Sequence, residues 1–348
     1  MIININYKRR GTILHKSSRL YILLVCLLGI AVLLAACGQS TGNSSSSGQG
    51  EKNNTSGNVP TASSSNASDS AETFIFQAGN GDVEVPKNPQ RIVDLTNFYT
   101  GYFLAIGVKP VGVLSGAMEN PYFAGKLDET EDLGVDPSPE KILELNPDLI
   151  ITFTGSEGID KLEQIAPVVA IDYGKKNYKD QIIDFGKLTG KEKEAEDWVA
   201  GWKAKIDDLK PKVQAAVGDK TVSILNPYSK GLYVFGHNYG RGGEIIYDEF
   251  GLKAPPEAQK EAIDSGTGWA SISLEKLPEY AGDIIFTCPW AGDTSDPKIV
   301  YDSAIWKGLP GVKAGHVFQL NPHSDTYSDP VSLEAQLEFI SSSLLSVQ

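Results

Sequence analysis

Two segments of the chain repeat one pattern: SPEKILELNPDLIITF at Ser138–Phe153 and SLEKLPEYAGDIIFTC at Ser273–Cys288. They align without gaps at an offset of 135 residues, and seven of the sixteen positions are identical. In each copy a serine precedes an acidic first turn, which is typical of a capped helix, and an apolar run follows as a buried strand. Because the identities include charged positions, a duplicated unit is favoured over two unrelated helix–strand units of similar composition. The repeat therefore predicts two lobes of like construction.

Strand and helix patterns alternate on both sides of these segments. Short β-branched runs predict strands at Arg91–Leu95, Pro110–Leu114, Asp148–Phe153, Val168–Asp172, Thr221–Leu225, Asp283–Cys288 and Val317–Leu320. Amphipathic stretches between the strands predict helices at Pro139–Leu145, Ile159–Ile165, Asp180–Leu188, Gly243–Phe250 and Leu274–Tyr280. This alternation indicates an α/β protein with mostly parallel sheets.

A longer helix is predicted between the two halves, where residues 191–217 read KEKEAEDWVAGWKAKIDDLKPKVQAAV. Trp198 and Trp202 lie on one face of this helix, and charged residues fill the other. A helix that reaches Lys210 would be about 30 Å long, and Pro211 should kink it or end it. Its position predicts a rigid connector, and the tryptophan spacing indicates core packing rather than ligand contact.

The N-terminal residues have the composition of a secretion signal. Residues 1–36 contain five basic residues and no acidic residue, and an apolar run occupies Tyr21–Ala36. The run ends in LAAC, which resembles a bacterial lipobox and predicts that Cys37 is lipidated and becomes the mature N-terminus. A plain membrane anchor, or a cleaved signal with an incidental cysteine, is the alternative.

Residues 37–72 are dominated by serine, glycine, asparagine and threonine and show no apolar periodicity. Such a segment buries too little surface to fold, so it predicts a flexible tether. A tether behind a lipidated cysteine is expected to hold the folded unit at the extracytoplasmic face of a cell membrane, as in a Gram-positive envelope.

Composition disfavours several classes of protein. The chain has 348 residues, 41% of them hydrophobic, and a formal net charge of −13, whereas nucleic-acid binding needs a basic face. Three cysteines do not make a disulfide framework, and Cys288, at the end of a buried strand, is predicted to be inert. Beyond the leader only His237, His316 and His323 remain, so a direct Zn²⁺ or Mn²⁺ site is disfavoured. The TGSEG sequence around Ser156 is not a GxSxG motif, which makes an enzyme a weak hypothesis.

A ligand site is predicted outside the carboxyl ends of the parallel strands. The loops that leave these ends are Thr96–Tyr102, Ser115–Phe123, Thr154–Gly158, Asn226–Arg241, Pro289–Asp296 and Asn321–Tyr327. They predict a cleft with much aromatic surface, for which the candidate residues are Phe98, Tyr99, Tyr122, Tyr233, Tyr239, Trp290, His323 and Tyr327.

The most distinctive loop lies within residues 231–252, GLYVFGHNYGRGGEIIYDEFGL. Its glycines lead into a helix predicted near Gly243, and Arg241 precedes the N–H groups of that helix, an arrangement suited to anionic oxygens. No GK[ST] follows, and Glu244 would repel a phosphate, so a nucleotide loop is disfavoured. A surface arginine in a glycine-rich turn is the alternative, but the flanking Tyr233 and Tyr239 favour a binding site.

Several of these segments resemble the iron-siderophore substrate-binding lipoproteins of ABC importers, and most closely those of the ferric hydroxamate type. They are the lipobox, RIVDLTNFYTGYFLAIGVKPVG from residue 91, the PDLII and PVVAIDY strands, the long helix and NYGRGGEIIYDEFGL. The resemblance implies two Rossmann-like lobes, residues 73–189 and 219–348, joined by a long rigid helix at 190–218. It also implies a shallow cleft in which Arg241 contacts the iron-chelating oxygens. Tyr239 departs from the tryptophan that many relatives have before GRGG.

The same resemblance implies a set of partners. Each lobe of such a protein presents one glutamate to an ABC permease, a heterodimer or homodimer with approximate two-fold symmetry that works with an ATPase. The matching positions are Glu140 and Glu275, the third residue of each repeat copy. Exposed glutamates in a first turn otherwise serve only the helix dipole. The iron would be held by the siderophore, so the resemblance implies neither a cofactor nor metal ligands from the protein.

The charge of the predicted cleft bears on the ligand. A ferric tris-hydroxamate is roughly neutral, whereas a tris-catecholate is strongly anionic and needs several basic side chains. One arginine among tyrosines favours a hydroxamate or a mixed citrate–hydroxamate. Ferric citrate, a catecholate siderophore, haem and cobalamin remain as alternatives on the same fold.

Overall fold

The two repeat copies lie in two separate five-stranded sheets of the computed structural model. The structure describes residues 72–229, 231–289 and 296–347, so the predicted leader and tether, including Cys37, lie outside the described residues. Within the described part of the chain, no helix has both the length and the apolar character needed to cross a membrane.

The first lobe begins with an antiparallel hairpin of β1 (Thr73–Ala78) and β2 (Gly81–Pro86). The strands of its sheet are β3 (Ile92–Asp94), β4 (Gly112–Val113), β5 (Glu131–Asp132), β6 (Leu149–Phe153) and β7 (Val168–Ile171). Their order is β5-β4-β3-β6-β7, and all of them are parallel. The helices are α1 (Thr100–Ala105), α2 (Ser115–Met118), α3 (Pro139–Glu144), α4 (Ile159–Leu162) and α5 (Tyr178–Thr189), with a 3-10 turn at Pro121–Phe123.

A single helix of 26 residues, α6 (Glu192–Val217), connects the lobes. The sequence predicted that Pro211 kinks or ends this helix; the helix does not end there, because it continues for six residues beyond the proline. Val213 and Val217 are fully buried in this last part. Helical stability in proteins comes mostly from packing of an apolar face, and here packing outweighs the one backbone hydrogen bond that a proline removes.

The tryptophans of α6 pack as predicted from their spacing. The rings of Trp198 and Trp202 stack at 5.4 Å with an interplanar angle of 14°. Trp202 is buried, and its indole N–H donates a hydrogen bond of 2.8 Å to the hydroxyl of Tyr178 on α5. The pair therefore fastens α6 to the first lobe.

The strands of the second sheet are β8 (Val222–Tyr228), β9 (Gly231–Phe235), β10 (Trp269–Ile272), β11 (Ile284–Thr287) and β12 (Val317–Gln319). Their order is β10-β9-β8-β11-β12; β11 is parallel to both its neighbours, and β9 is antiparallel to both of its own. The helices are α7 (Pro256–Ala258), α8 (Leu277–Tyr280), α9 (Lys298–Tyr301), α10 (Ala304–Gly308), α11 (Pro310–Lys313) and α12 (Pro330–Leu345). The segment predicted as a helix at Gly243–Phe250 is a π-helix at Glu244–Glu249, and a second π-helix lies at Gln259–Ile263.

The strand of each repeat copy has the same place in its sheet. β6 pairs with β3 and β7, and β11 pairs with β8 and β12, which in both sheets are the first and the last strand in chain order. One of the identical positions is an aspartate, which makes similar hydrogen bonds in both copies. The carboxylate of Asp148 accepts hydrogen bonds of 2.7 and 2.9 Å from the N–H groups of Gln90 and Arg91, just before β3. Asp283 accepts one of 2.8 Å from the N–H of Thr221, just before β8. The predicted α/β fold of two like-built lobes joined by a long helix is confirmed.

The C-terminal helix α12 also joins the lobes, because it packs against both α6 and α1. Asp329 caps this helix by accepting a hydrogen bond of 3.0 Å from the N–H of Ser332. A Cβ at Gly101 of α1 would lie only 1.7 Å from a carboxylate oxygen of Asp329, so glycine is required for this close approach. One hydrophobic core extends through α1, α6 and α12 and includes Phe103, Trp202 and Ile340.

Candidate ligand-binding cleft

A cavity of about 540 Å³ lies between the two lobes. The first lobe contributes residues at or just after the carboxyl ends of β3, β6 and β7, and the second contributes β9, β10 and two loops. The residues that line the cavity are Phe98, Phe153, Tyr173, Tyr233, Phe235, Tyr239, Arg241, Trp269 and Thr326. Its size and its apolar lining with one charged group are typical of a site for a small organic ligand.

Backbone conformation holds Arg241 in the cavity wall. Gly240, Arg241 and Gly242 have φ angles of 69°, 58° and 77°, so three consecutive residues are left-handed. This conformation is unfavourable for a residue with a Cβ, and it persists only where the surroundings enforce it. The N–H of Arg241 donates a hydrogen bond of 2.6 Å to the carbonyl oxygen of Asp325. A Cβ at Gly240 would lie 2.1 Å from the carbonyl oxygen of Thr326, so this position requires glycine.

The side chain of Arg241 is oriented by two groups of its own lobe. Its Nη1 donates a hydrogen bond of 2.7 Å to the carbonyl oxygen of Tyr239, and its guanidinium carbon lies 3.9 Å from the ring centroid of Phe235. Arg241 is only 5% exposed, and burial lowers the pKa of its guanidinium. An arginine nevertheless remains protonated in proteins, so the cavity wall carries a desolvated positive charge.

Glu244, the last residue of the GRGGE motif, supports the loop. Its Oε1 accepts hydrogen bonds of 3.1 Å from the N–H of Gly240 and of 2.5 Å from the hydroxyl of Ser328. Burial raises the pKa of the Glu244 carboxyl. The loop that carries Arg241 is thereby joined to the segment that begins α12.

Aromatic rings form the walls of the cavity on both lobes. On the second lobe, Tyr228 stacks on Tyr233 at 4.2 Å, and Trp269 meets Tyr233 edge to face at 5.4 Å. On the first lobe, Phe98 lies 5.2 Å from Tyr173, whose ring is 6.1 Å from that of Tyr239 on the opposite wall. Trp269 and Tyr173 are 36% and 41% exposed, so both rings present a free surface to a ligand.

Five of the lining residues were absent from the residues predicted from the sequence, namely Phe153, Tyr173, Phe235, Trp269 and Thr326. Tyr173 lies two residues after the end of β7, so the rule that ligands lie at the carboxyl ends of parallel strands would have found it. Trp269 belongs to β10, which no periodicity predicted, and it reaches the cavity because β10 pairs antiparallel with β9 and places Trp269 opposite Phe235. Only the sheet pairing reveals its place.

The structure brings four of the predicted residues to the cavity, namely Phe98, Tyr233, Tyr239 and Arg241. Tyr327 packs edge to face against Phe98 at 5.3 Å. Trp290 lies outside the described residues.

Three other residues that were predicted to line the cleft do not line this cavity. Tyr99 is 5% exposed and packs in the core, because it directly precedes α1 and its ring packs against Phe185. Tyr122 donates a hydrogen bond from its hydroxyl to Asp325. His323 is exposed, and its backbone N–H bonds to the side chain of Asn321 within its own loop.

The comparison with protein families decides the identity of the fold. The family of periplasmic binding proteins matches residues 92–323. The chain belongs to the periplasmic binding protein family.

Relatives of this periplasmic binding protein occur in Bacillus subtilis. The iron(3+)-hydroxamate-binding protein FhuD is 48% identical over 81% of this chain and 90% of its own length. The iron(3+)-hydroxamate-binding protein YxeB is 36% identical over 82% of this chain and 89% of its own length. The resemblance noted from the sequence is thus confirmed.

Solved structures agree with this periplasmic binding protein over most of its length. A FhuD fold-family protein of B. subtilis, described as a component of a Fep/Fec-like ferrichrome ABC transporter, has a TM-score of 0.74 at 47% identity. It covers 78% of this chain and 100% of its own. FhuD2 of Staphylococcus aureus with bound ferrioxamine B has a TM-score of 0.68 at 31% identity, and covers 74% of this chain and 99% of its own.

Among the described residues of this periplasmic binding protein, no group of three or more His, Cys, Asp or Glu side chains is arranged to hold a metal ion. His237 instead pairs with Asp248 at 2.9 Å. Cys288 is 1% exposed, and burial raises the pKa of its thiol to about 12, so little reactive thiolate forms near neutral pH.

Glu140 and Glu275, the third residues of the two repeat copies, have similar surroundings in this periplasmic binding protein. Glu140 and Glu275 are both exposed; Glu140 lies in the first turn of α3, and Glu275 lies in a 3-10 turn, Leu274–Lys276, that precedes α8. A hydrogen bond from its own N–H and one with Ser138 lower the pKa of Glu140. A hydrogen bond with Ser273 and one from its own N–H lower the pKa of Glu275. Each lobe therefore presents one ionised carboxylate at the matching position.

Proposed function

We propose that this protein captures a ferric siderophore of the hydroxamate or mixed citrate–hydroxamate type and delivers it to an ABC permease. The observation that carries the proposal is the aromatic cavity between two lobes with the buried guanidinium of Arg241 in its wall. A neutral or weakly anionic iron chelate matches this combination of apolar rings and one positive charge. The names of the two B. subtilis relatives described above support the same ligand class.

We infer that Arg241 contacts the chelating oxygens, that Tyr233, Tyr239 and Phe98 contact the organic shell, and that Tyr173 and Trp269 join them. Tyr99, Tyr122 and His323 are left out of this set for the reasons given above. The ligand, rather than the protein, holds the iron. We also propose that lipidated Cys37 anchors the protein to the extracytoplasmic face of the membrane, with residues 38–72 as a tether, because the sequence LAAC has the lipobox pattern.

A screen of ferric chelates tests the ligand class. Quenching of tryptophan fluorescence would be titrated with ferrichrome, ferrioxamine B, ferric citrate, a ferric tris-catecholate and haem, each beside its iron-free form. We expect the two hydroxamates to bind at least about tenfold more tightly than the tris-catecholate, because one arginine offsets little of a catecholate's charge. Tighter binding of the catecholate or of haem would contradict the proposal.

Trp269 provides a second prediction. Removal of its ring in Trp269→Ala is expected to weaken binding of ferrioxamine B by about three- to tenfold, because an exposed aromatic face in the cavity wall is lost. Isothermal titration calorimetry is the suitable measurement, since it does not depend on tryptophan emission.

Two matched variants serve as controls for Trp269→Ala. Trp269→Phe retains an aromatic ring and should keep most of the affinity. Trp198→Phe changes a tryptophan on α6 and should leave the affinity at the wild-type value. Equal affinity of Trp269→Ala and wild type would remove Trp269 from the binding site.

A further inference from the structure

We infer that Asp325 is a positioning residue: its hydrogen bond with Tyr122 of the opposite lobe fixes the segment that holds the backbone of Arg241. This inference rests on the proposed function, because its consequence is a change in ligand affinity. Under this inference Tyr122 affects the ligand affinity through Asp325, without contacting the ligand.

The first step is a hydrogen bond between the lobes. The hydroxyl of Tyr122, in the 3-10 turn of the first lobe, donates to Oδ1 of Asp325 at 2.8 Å. Tyr122 is itself fixed, because its N–H donates to the side chain of Asn120 at 3.0 Å. Oδ2 of Asp325 accepts the N–H of Asn321 at 2.6 Å. Asp325 is buried, so water competes little for these bonds.

The second step leads from Asp325 to Arg241. The carbonyl oxygen of Asp325 accepts the N–H of Arg241 at 2.6 Å, and the next carbonyl, that of Thr326, lies directly against Gly240. Arg241 is held in a left-handed conformation that is unfavourable outside this packing. A displacement of residues 325–326 would therefore also displace the backbone from which the guanidinium projects.

The third step connects the same segment to the cavity. Thr326 lines the cavity, and the ring of Tyr327 contacts Phe98 of the first lobe at 5.3 Å. Residues 325–327 thus contact the first lobe through two side chains and the Arg241 loop through two carbonyls. The position of the Arg241 side chain therefore depends on the relative position of the two lobes.

Tyr122→Phe tests the inference, because it removes the hydroxyl and keeps the ring. We expect it to weaken ferrioxamine B binding by about three- to tenfold, since Asp325 loses a hydrogen-bond donor inside the protein. Asp325→Asn should weaken binding by about tenfold or more. In the Arg241→Ala background Tyr122→Phe should have no further effect, because the contribution of the bond passes through Arg241.

Tyr280→Phe is the matched control. The hydroxyl of Tyr280 on α8 also donates a hydrogen bond to a carboxylate, that of Glu261 at 2.6 Å, but both residues belong to the second lobe and neither lines the cavity. Tyr280→Phe should change the affinity for ferrioxamine B by less than about twofold. Thermal unfolding of each variant establishes that the protein is folded; if Asp325→Asn fails to fold, Tyr122→Phe alone carries the test.

Three results would overturn the inference. They are wild-type affinity in Tyr122→Phe, an equal loss in Tyr280→Phe and Tyr122→Phe, and an undiminished effect of Tyr122→Phe in the Arg241→Ala background. The last would indicate that Tyr122 affects the affinity by a route that does not pass through Arg241. Failure of the wild-type protein to bind any ferric hydroxamate would instead contradict the proposed function, so the two failures are distinguishable.

Discussion

Replacement of Arg241 by alanine is expected to weaken binding of ferric hydroxamates by an order of magnitude or more. The guanidinium is buried in the cavity wall and held by the carbonyl of Tyr239 and the ring of Phe235. Hydrogen bonds from such a charged group to chelating oxygens contribute about 1.5–3 kcal/mol each, and about 1.4 kcal/mol corresponds to a factor of ten in affinity. Fluorescence titration with ferrioxamine B and ferrichrome measures the loss.

Three further variants separate the causes of this loss. Arg241→Gly relieves the left-handed backbone and should bind as weakly as alanine, whereas strain alone would predict recovery. Arg241→Lys keeps the charge without the planar fork and should show an intermediate affinity. Lys313→Ala removes an exposed positive charge on α11 and should bind as wild type does. Unchanged affinity of Arg241→Ala would exclude the guanidinium from the site.

Reversal of charge at Glu140 and Glu275 together is expected to reduce siderophore-dependent iron uptake by more than about tenfold. The proposed reason is that each carboxylate meets a basic pocket of the permease, so that two lysines replace attraction with repulsion. Neither residue belongs to the cavity lining, and both are exposed, so the affinity for the ferric siderophore should stay within about twofold of wild type. Uptake of radioactive iron by cells that depend on the introduced variant measures the first quantity, and titration of the purified protein measures the second.

The repeat itself supplies the matched control for this experiment. Glu144 and Glu279 are also identical in the two copies, lie one turn further along and are exposed. The double variant Glu144→Lys/Glu279→Lys makes the same change of net charge in the same two repeat segments. We expect it to support near-normal uptake. Equal loss in both double variants would indicate a general effect of charge, and normal uptake with Glu140→Lys/Glu275→Lys would rule out docking through these residues.

Much of the fold could be predicted because local patterns of apolar and polar residues specify its strands and helices. Of the seven predicted strands, five (β3, β4, β6, β8 and β11) lie inside the two sheets, and two (β7 and β12) lie at sheet edges. The elements that were missed are those whose form depends on a partner. They are the hairpin of β1 and β2, the two-residue strand β5, and the antiparallel pair of β9 and β10, each of which is defined by its pairing.

The candidate site was predictable to the extent that its residues follow strand ends or carry a distinctive motif. Arg241 stood out because glycines and tyrosines surround it. Tyr99 was misplaced because it also follows a strand end, and only the packing of α1 shows that its ring enters the core beside Phe185. Trp269 was missed for the converse reason, since its place depends on the register between two strands.

The amino-acid sequence by itself determined the two like halves, the helix between them and the arginine in its glycine-rich loop, because each of these depends on neighbours within a few residues or on a repeated segment. Only the tertiary structure decided where the side chains of Arg241 and Tyr122 lie and what they contact. Tyr122 and Asp325 are 203 residues apart in the chain, and their hydrogen bond exists because α12 and α6 pack the lobes together. Local patterns specify helices and strands, whereas contacts between distant residues follow from burial of the shared core, which no local pattern encodes.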